Sequence, residues 1–164
     1  MNLESLISDN MRDIPPSPIR KFFDIVKTME GAISLGIGEP DFVTPWHIRD
    51  AAISSINNGE TSYTANAGTP ELRNAISRYL NRRFGLEYDI SQIIVTVGAS
   101  EAIDLAMRAL INPGDEVIIP DPSYISYAPN VRLVYGRAVP LPTYASDGFS
   151  ITPENLKKAI TPRT

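Results

Sequence analysis

The sequence predicts an α/β fold in which a mostly parallel sheet is flanked by helices. Three observations carry this. From residue 92 onward, short apolar runs alternate with helical patterns, which points to βαβ units. Ile93-Ile94-Val95-Thr96-Val97 is continuous and largely β-branched, as a strand buried on both faces should be. Three helices start with threonine then proline, at Thr44-Pro45, Thr69-Pro70 and Thr152-Pro153. The threonine hydroxyl caps an orphan amide, and proline's fixed φ suits the first helical position.

The elements follow in order. Ile14-Pro15-Pro16-Ser17-Pro18 reads as an extended arm. Ile19, Phe22, Phe23, Val26 and Met29 lie at helical spacing, and Gly31 breaks that helix. Ser34 to Phe42 holds two glycines and a proline and is too irregular for a long regular element. Behind Thr44 come Ile48, Ala51, Ala52 and Ile56; behind Thr69 come Leu72, Ile76, Tyr79, Leu80 and Phe84; behind Thr152 come Leu156, Ala159 and Ile160. Each set makes one apolar face. Glu101 to Ile111 is apolar nearly all round and predicts an interior helix. Asn112-Pro113-Gly114-Asp115 is a turn, and Glu116 to Ile119 is the second strand. Ser123 to Val134 predicts a helix with Tyr124, Tyr127, Val131 and Val134 on one face. Arg137 to Leu141 is the third strand. A parallel sheet this small has edges and faces that need covering, so the chain reads as part of something larger.

Composition narrows the function. With 164 residues, 43% apolar and 21% charged, the chain suits one domain or a large part of one. A net charge of -4 gives no electrostatic reason to expect nucleic acid or an anionic membrane. There is no cysteine, which excludes disulfides, thiolate metal sites and cysteine nucleophiles. The single histidine, His47, supports neither a metal cluster nor a Ser-His-Asp triad. Met1 to Asp13 lacks a signal-peptide core, and no apolar run approaches the ~20 residues that span a bilayer. The expectation is a cytoplasmic protein.

Four segments have the chemistry of a site. A strand runs into Gly98-Ala99-Ser100 and then a helix. Small residues let a phosphate approach, the helix N-terminus favours an anion, and Ser100 adds a hydroxyl. The plainer reading is a strand-to-helix turn capped by Ser100, and local sequence leaves it ahead. Ser34-Leu35-Gly36-Ile37-Gly38-Glu39-Pro40-Asp41-Phe42 exposes backbone amides that suit a carboxylate, or is simply a glycine-rich connection. Tyr63, in a polar loop, offers its hydroxyl to a phosphate or packs as a surface tyrosine. Tyr124 follows Asp121-Pro122-Ser123 at the C-terminal end of a strand, where open α/β sheets place ligands. It stacks on a planar ring or is an ordinary helix-face aromatic. Arg82-Arg83 and Lys157-Lys158 fall near helix C-termini and complement the dipole.

In this order and spacing, from about Ile14 to Thr164, the segments resemble the N-terminal portion of fold-type-I pyridoxal-phosphate enzymes, specifically the class I/II aminotransferases. The resemblance implies the first half of a three-layer cofactor domain. Residues 1–43 would form the N-terminal arm and substrate-carboxylate segment, and residues 44–164 the incomplete large domain. It implies pyridoxal 5'-phosphate as cofactor, amino-acid and 2-oxo-acid substrates, and a homodimer. By the same similarity Ala99 N–H and Ser100 contact the phosphate beside Gly98, and Tyr124 stacks on the pyridine ring. Tyr63 reaches the phosphate of the other subunit, and Gly38 donates its N–H to the substrate carboxylate.

Family members continue with an Asn-Pro segment, an aspartate for the pyridinium nitrogen, the Schiff-base lysine, and arginines for phosphate and substrate. None matches a position in this chain. Lys21, Lys27, Lys157 and Lys158 read as solvated helix positions, so no catalytic residue is expected here and the chain alone is expected to be inactive. Carbon-sulfur lyases share this half-fold and are the nearest alternative. A non-catalytic module, or the cofactor-sensing part of a regulator, is the alternative of another class.

Overall fold

The computed structural model describes residues 3–12, 14–16, 22, 25–26, 28–31, 33, 38 and 40–164. Its helices are α1 (Asp9–Arg12), α2 (Trp46–Asn57), α3 (Pro70–Phe84), α4 (Gly98–Leu110), α5 (Tyr127–Leu133) and α6 (Pro153–Ala159); its strands are β1 (Glu116–Asp121) and β2 (Arg137–Pro142). The chain forms two compact units, Phe22–Thr96 and Met1–Lys21 with Val97–Thr164. The helix expected over Ile19 to Met29 falls largely outside the described residues.

In the unit Phe22–Thr96, the Thr69 hydroxyl accepts the Leu72 amide at 3.3 Å and Pro70 opens α3. Gly85, at φ 67°, ends that helix in the left-handed region, its amide donating to the Asn81 carbonyl at 2.8 Å. Arg73 ties the helix to its flanks, donating to the carbonyls of Gly68 and Ile90, each at 3.1 Å. Asp89 accepts the Ser91 amide at 2.8 Å, while the Gln92 side chain accepts the Asp89 amide at 3.0 Å. This reciprocal box closes the turn before Ile93. The Thr44 expectation needs correction. Pro45 holds the cap position of α2 and no side chain caps it, so this helix starts one residue late.

Ile93 to Val97 also departs from expectation. The sheet among the described residues has two strands, β1 and β2. Ile93 is extended and buried, but Ile94 is 63% and Val97 88% exposed. Val95 donates its amide to the Ala67 carbonyl at 3.0 Å. β-Branched propensity makes a segment extended; a ladder also needs a partner strand.

In the other unit, β1 and β2 pair in parallel from Glu116 opposite Arg137 to Asp121 opposite Pro142. Both strands run past their expected ends. The intervening α5 is the crossover helix, and it packs on β1 and β2. Val131 of α5 is fully buried, with Ile119 and Leu141 nearly so. Gly136 enters β2 so tightly that a Cβ would lie 2.9 Å from Val131 Cγ1 and 2.8 Å from Ile111 Cγ2. The turn before β1 closes through Asp115, whose carboxylate accepts the Asn112 amide at 2.8 Å. Glu116 pairs with Arg137 at 3.2 Å and accepts the Thr161 hydroxyl, so the last residues are pinned to β1. The Thr152 hydroxyl accepts the Asn155 amide at 3.2 Å and starts α6, which packs on β2.

Two helices differ from the sequence reading. The helix expected over Ser123 to Val134 spans only Tyr127–Leu133. The Tyr127 amide donates to the Tyr124 carbonyl at 3.1 Å, so Tyr124 lies in a turn ahead of the helix, and Tyr135 at φ 62° ends it. α4, expected to be interior, has no buried residue, and Leu110 is 73% exposed. A helix that is apolar all round is interior only where neighbours cover it; α5 packs against part of its surface.

Candidate functional site

The start of α4, like that of α2 and unlike that of α3, has no side-chain cap. Val97 stands at the cap with no side-chain cap bond. Gly98 has φ 75°, a left-handed conformation that disfavours a side chain, and the space where its Cβ would be is open. The Val97 amide donates to the Glu101 carboxylate. The first turn of a helix carries the positive end of its dipole, which favours an anion.

A second segment follows β1. The Asp121 carbonyl at the end of β1 accepts both the amide of Thr143, at 2.8 Å, and its hydroxyl, at 3.1 Å. Thr143 is 8% exposed, so the end of the strand is held by a buried pair of bonds. The chain then turns through Pro122 and Ser123 to Tyr124. The Tyr124 ring meets the Tyr127 ring edge-on, with centroids 5.5 Å apart and planes at 81°. The hydroxyls of Ser126 and, second, Ser100 draw the Tyr124 phenol's pKa below its usual 10.0 by favouring the ionised oxygen.

Of the expected site residues, Gly98, Ala99 and Ser100 lie in the first turn of α4, and Tyr124 lies in the turn after β1. Tyr63 and Gly38 belong to the other unit; both are exposed, and Ser34 to Ile37 and Glu39 around Gly38 lie outside the described residues. Ser126 and Thr143 escaped the sequence reading. Ser126 had a signal: it lies two residues after Tyr124, where a helix was expected to be already under way. Thr143 had none, because its role depends on the register of β2.

A separate cleft of 830 Å³ opens between Ile14-Pro15, α5 and β2, lined partly by Pro129 and Arg132, and includes none of the expected site residues. Among the described residues no cluster of potential metal ligands occurs, and no helix is long and apolar enough to cross a membrane. Lys157 and Lys158 are exposed on the last turn of α6, while Lys21 and Lys27 lie outside the described residues.

Comparison with known proteins shows the family. The family model for aminotransferase class I and II matches residues 30–164. The YugH protein of Bacillus subtilis, which carries an aminotransferase name, is 53% identical over 163 residues, covering 99% of this chain and 42% of that protein. The aspartate aminotransferase of Pyrococcus abyssi is 44% identical over 159 residues, covering 96% and 41%. The crystal structure of the Rhizobium meliloti aspartate aminotransferase superposes with a TM-score of 0.88 at 43% identity, covering 96% of this chain and 40% of that one. The Thermus thermophilus enzyme with maleate gives 0.89 at 36% identity, covering 96% and 42%. The chain thus spans 40–42% of the length of these proteins.

Proposed function

Because the chain belongs to the class I and II aminotransferase family, we propose that it serves as the cofactor-anchoring part of a pyridoxal 5'-phosphate-dependent aminotransferase. The parent enzyme would move an amino group between an amino acid and a 2-oxo acid. The observation that carries the reading is the α4 start, where no side chain caps the helix, Gly98 is left-handed with open space beside it, and Ser100 stands in the first turn.

The residues fit a phosphorylated planar cofactor. The open, left-handed Gly98 leaves room for a phosphate, and the Ala99 amide and Ser100 hydroxyl would hold it. Tyr124, braced by Tyr127, would present its ring to the pyridine. Tyr63, fully exposed, would reach the phosphate held by a second copy. The Gly38 amide would take the substrate carboxylate. When bound, the cofactor supplies an electron sink for charge at the amino acid's α-carbon. This chain's part is to hold the phosphate, orient the ring and exclude water from one face. The lysine, aspartate and arginines of the chemistry would lie outside residues 1–164. The aminotransferase names among the relatives favour transamination over carbon-sulfur lysis.

The test is to load the full-length protein with pyridoxal 5'-phosphate and supply a panel of amino donors with a 2-oxo-acid acceptor. The expected result is matched formation of a new 2-oxo acid and a new amino acid. Release of a thiol and ammonia, with no amino acid formed, would support the lyase instead.

A further inference from the structure

We propose that Arg73 is a positioning residue for Tyr63, holding the loop that carries it in the shape that meets a phosphate. The inference rests on the reading of Tyr63 as the contact to the cofactor phosphate held by a second copy.

The loop between α2 and α3 is tied at both ends. At its start, the Glu60 amide donates to the Ser55 carbonyl at 3.1 Å, and the Ser55 hydroxyl donates to the Glu60 carboxylate at 2.9 Å. Ser55 belongs to the last turn of α2. At its end, the half-buried Arg73 of α3 donates from Nε to the Gly68 carbonyl and from Nη1 to the Ile90 carbonyl, each at 3.1 Å. The preceding carbonyl, that of Ala67, accepts the Val95 amide at 3.0 Å. Gly68 itself, at φ 95°, lies so close to Val95 that a Cβ would sit 2.6 Å from Val95 Cγ2. The Gly68 amide closes a turn on the Ala65 carbonyl at 2.9 Å. Residues 65–68 are thus fixed to α3, to Ile90 and to Val95, and residues 61–64 bridge from them to the end of α2. Tyr63 stands in that bridge with its side chain fully exposed.

An exposed side chain takes its placement from the backbone on either side of it, and here the anchor on the C-terminal side is a clamp. A guanidinium is planar, stays charged and presents its donors at fixed separation, so one side chain holds two carbonyls of different segments together. Bonds from a charged donor are also stronger than those between neutral groups. A lysine carries its donors on one atom and does not reproduce the pair. A loop ordered before the phosphate arrives loses less freedom on binding it, which raises affinity with no added contact.

The test titrates pyridoxal 5'-phosphate into the full-length apo-protein. Tyr63→Phe should weaken binding about 10-fold, the net effect of one bond to a charged group. Arg73→Met should weaken it about 3- to 10-fold, and should add nothing in the Tyr63→Phe background. Thr69→Ala loosens the same helix start by removing its cap and should leave affinity unchanged. Arg73→Lys keeps the charge and most of the stem. It should show a smaller loss that also vanishes with Tyr63→Phe, so the comparison holds even where Arg73→Met does not fold. If Tyr63→Phe weakens binding while the Arg73 variants bind like the wild type, or add fully to Tyr63→Phe, Arg73 is only structural and the Tyr63 reading stands. An equal loss in Thr69→Ala would assign the effect to stability and overturn the proposal in the same way. If Tyr63→Phe binds like the wild type, the Tyr63 reading fails and this inference falls with it.

Discussion

The starts of α3 and α4 are two solutions to one problem. Both helices leave their first amides without partners inside the helix. At α3 the local sequence closes the gap itself, with the Thr69 hydroxyl on the Leu72 amide and Pro70 removing a donor. At α4 no side chain caps the start, and Gly98 adopts φ 75° with open space where a Cβ would be. The capped start is finished as structure. On the proposed reading, the α4 start is where the cofactor's phosphate would sit, and that difference is the physical content of the functional reading.

An aspartate placed at each start separates them most sharply. Ser100→Asp should weaken cofactor binding on the order of 100-fold or more, because two negative charges in near contact repel by several kcal/mol at protein-surface dielectric. Thr69→Asp replaces one good cap with another and should leave binding unchanged. Titration of the full-length apo-protein checks both. Equal losses at the two positions would mean that α4 has no special relation to the cofactor.

Alanine at each start gives smaller effects of opposite character. Thr69→Ala should cost about 1 kcal/mol of stability through the lost cap, with affinity unaltered. Gly98→Ala should cost about 1–2 kcal/mol through left-handed strain and should also weaken binding, since the new methyl occupies the open space. Denaturant unfolding of the full-length protein paired with cofactor titration distinguishes a cap from a cradle. A Gly98→Ala variant with full affinity would remove the cradle.

Acid should act on the finished turns first. The carboxyl of Asp115 is drawn below its usual 3.8 by the Asn112 amide, then the Asn112 side chain, with Arg163 adding to it. Asp89 is lowered chiefly by its bonds to Ser91. A depressed carboxyl contributes stability above its unfolded pKa and loses it as pH falls through the folded value. Stability should therefore decline as pH drops below about 4, and Asp115→Asn should flatten part of that decline in melts across the range. An unchanged slope would mean the turn does not depend on the charge.

Much of this was legible in the sequence, for local reasons. Thr69 and Thr152 carry their caps within three residues, Asn112 to Asp115 carries its own turn, and the βαβ alternation carries the parallel pairing of β1 with β2. What escaped depends on distant partners. Ile93 to Val97 reads as a strand because extension is local, whereas a ladder is not. α4 reads as interior because its composition is apolar, whereas cover comes from elsewhere. At the site, Ser100 and Tyr124 were legible one by one. The turn that carries Tyr124 was not, because the expected helix ran over it.

The central claim is that this chain holds the cofactor's phosphate and ring but not its covalent attachment. The full-length holoprotein should be reduced with borohydride, digested, and the labelled lysine located by mass spectrometry. The account predicts one stoichiometric label outside residues 1–164, with Lys21, Lys27, Lys157 and Lys158 unlabelled. A stoichiometric label on any of those four lysines would contradict it.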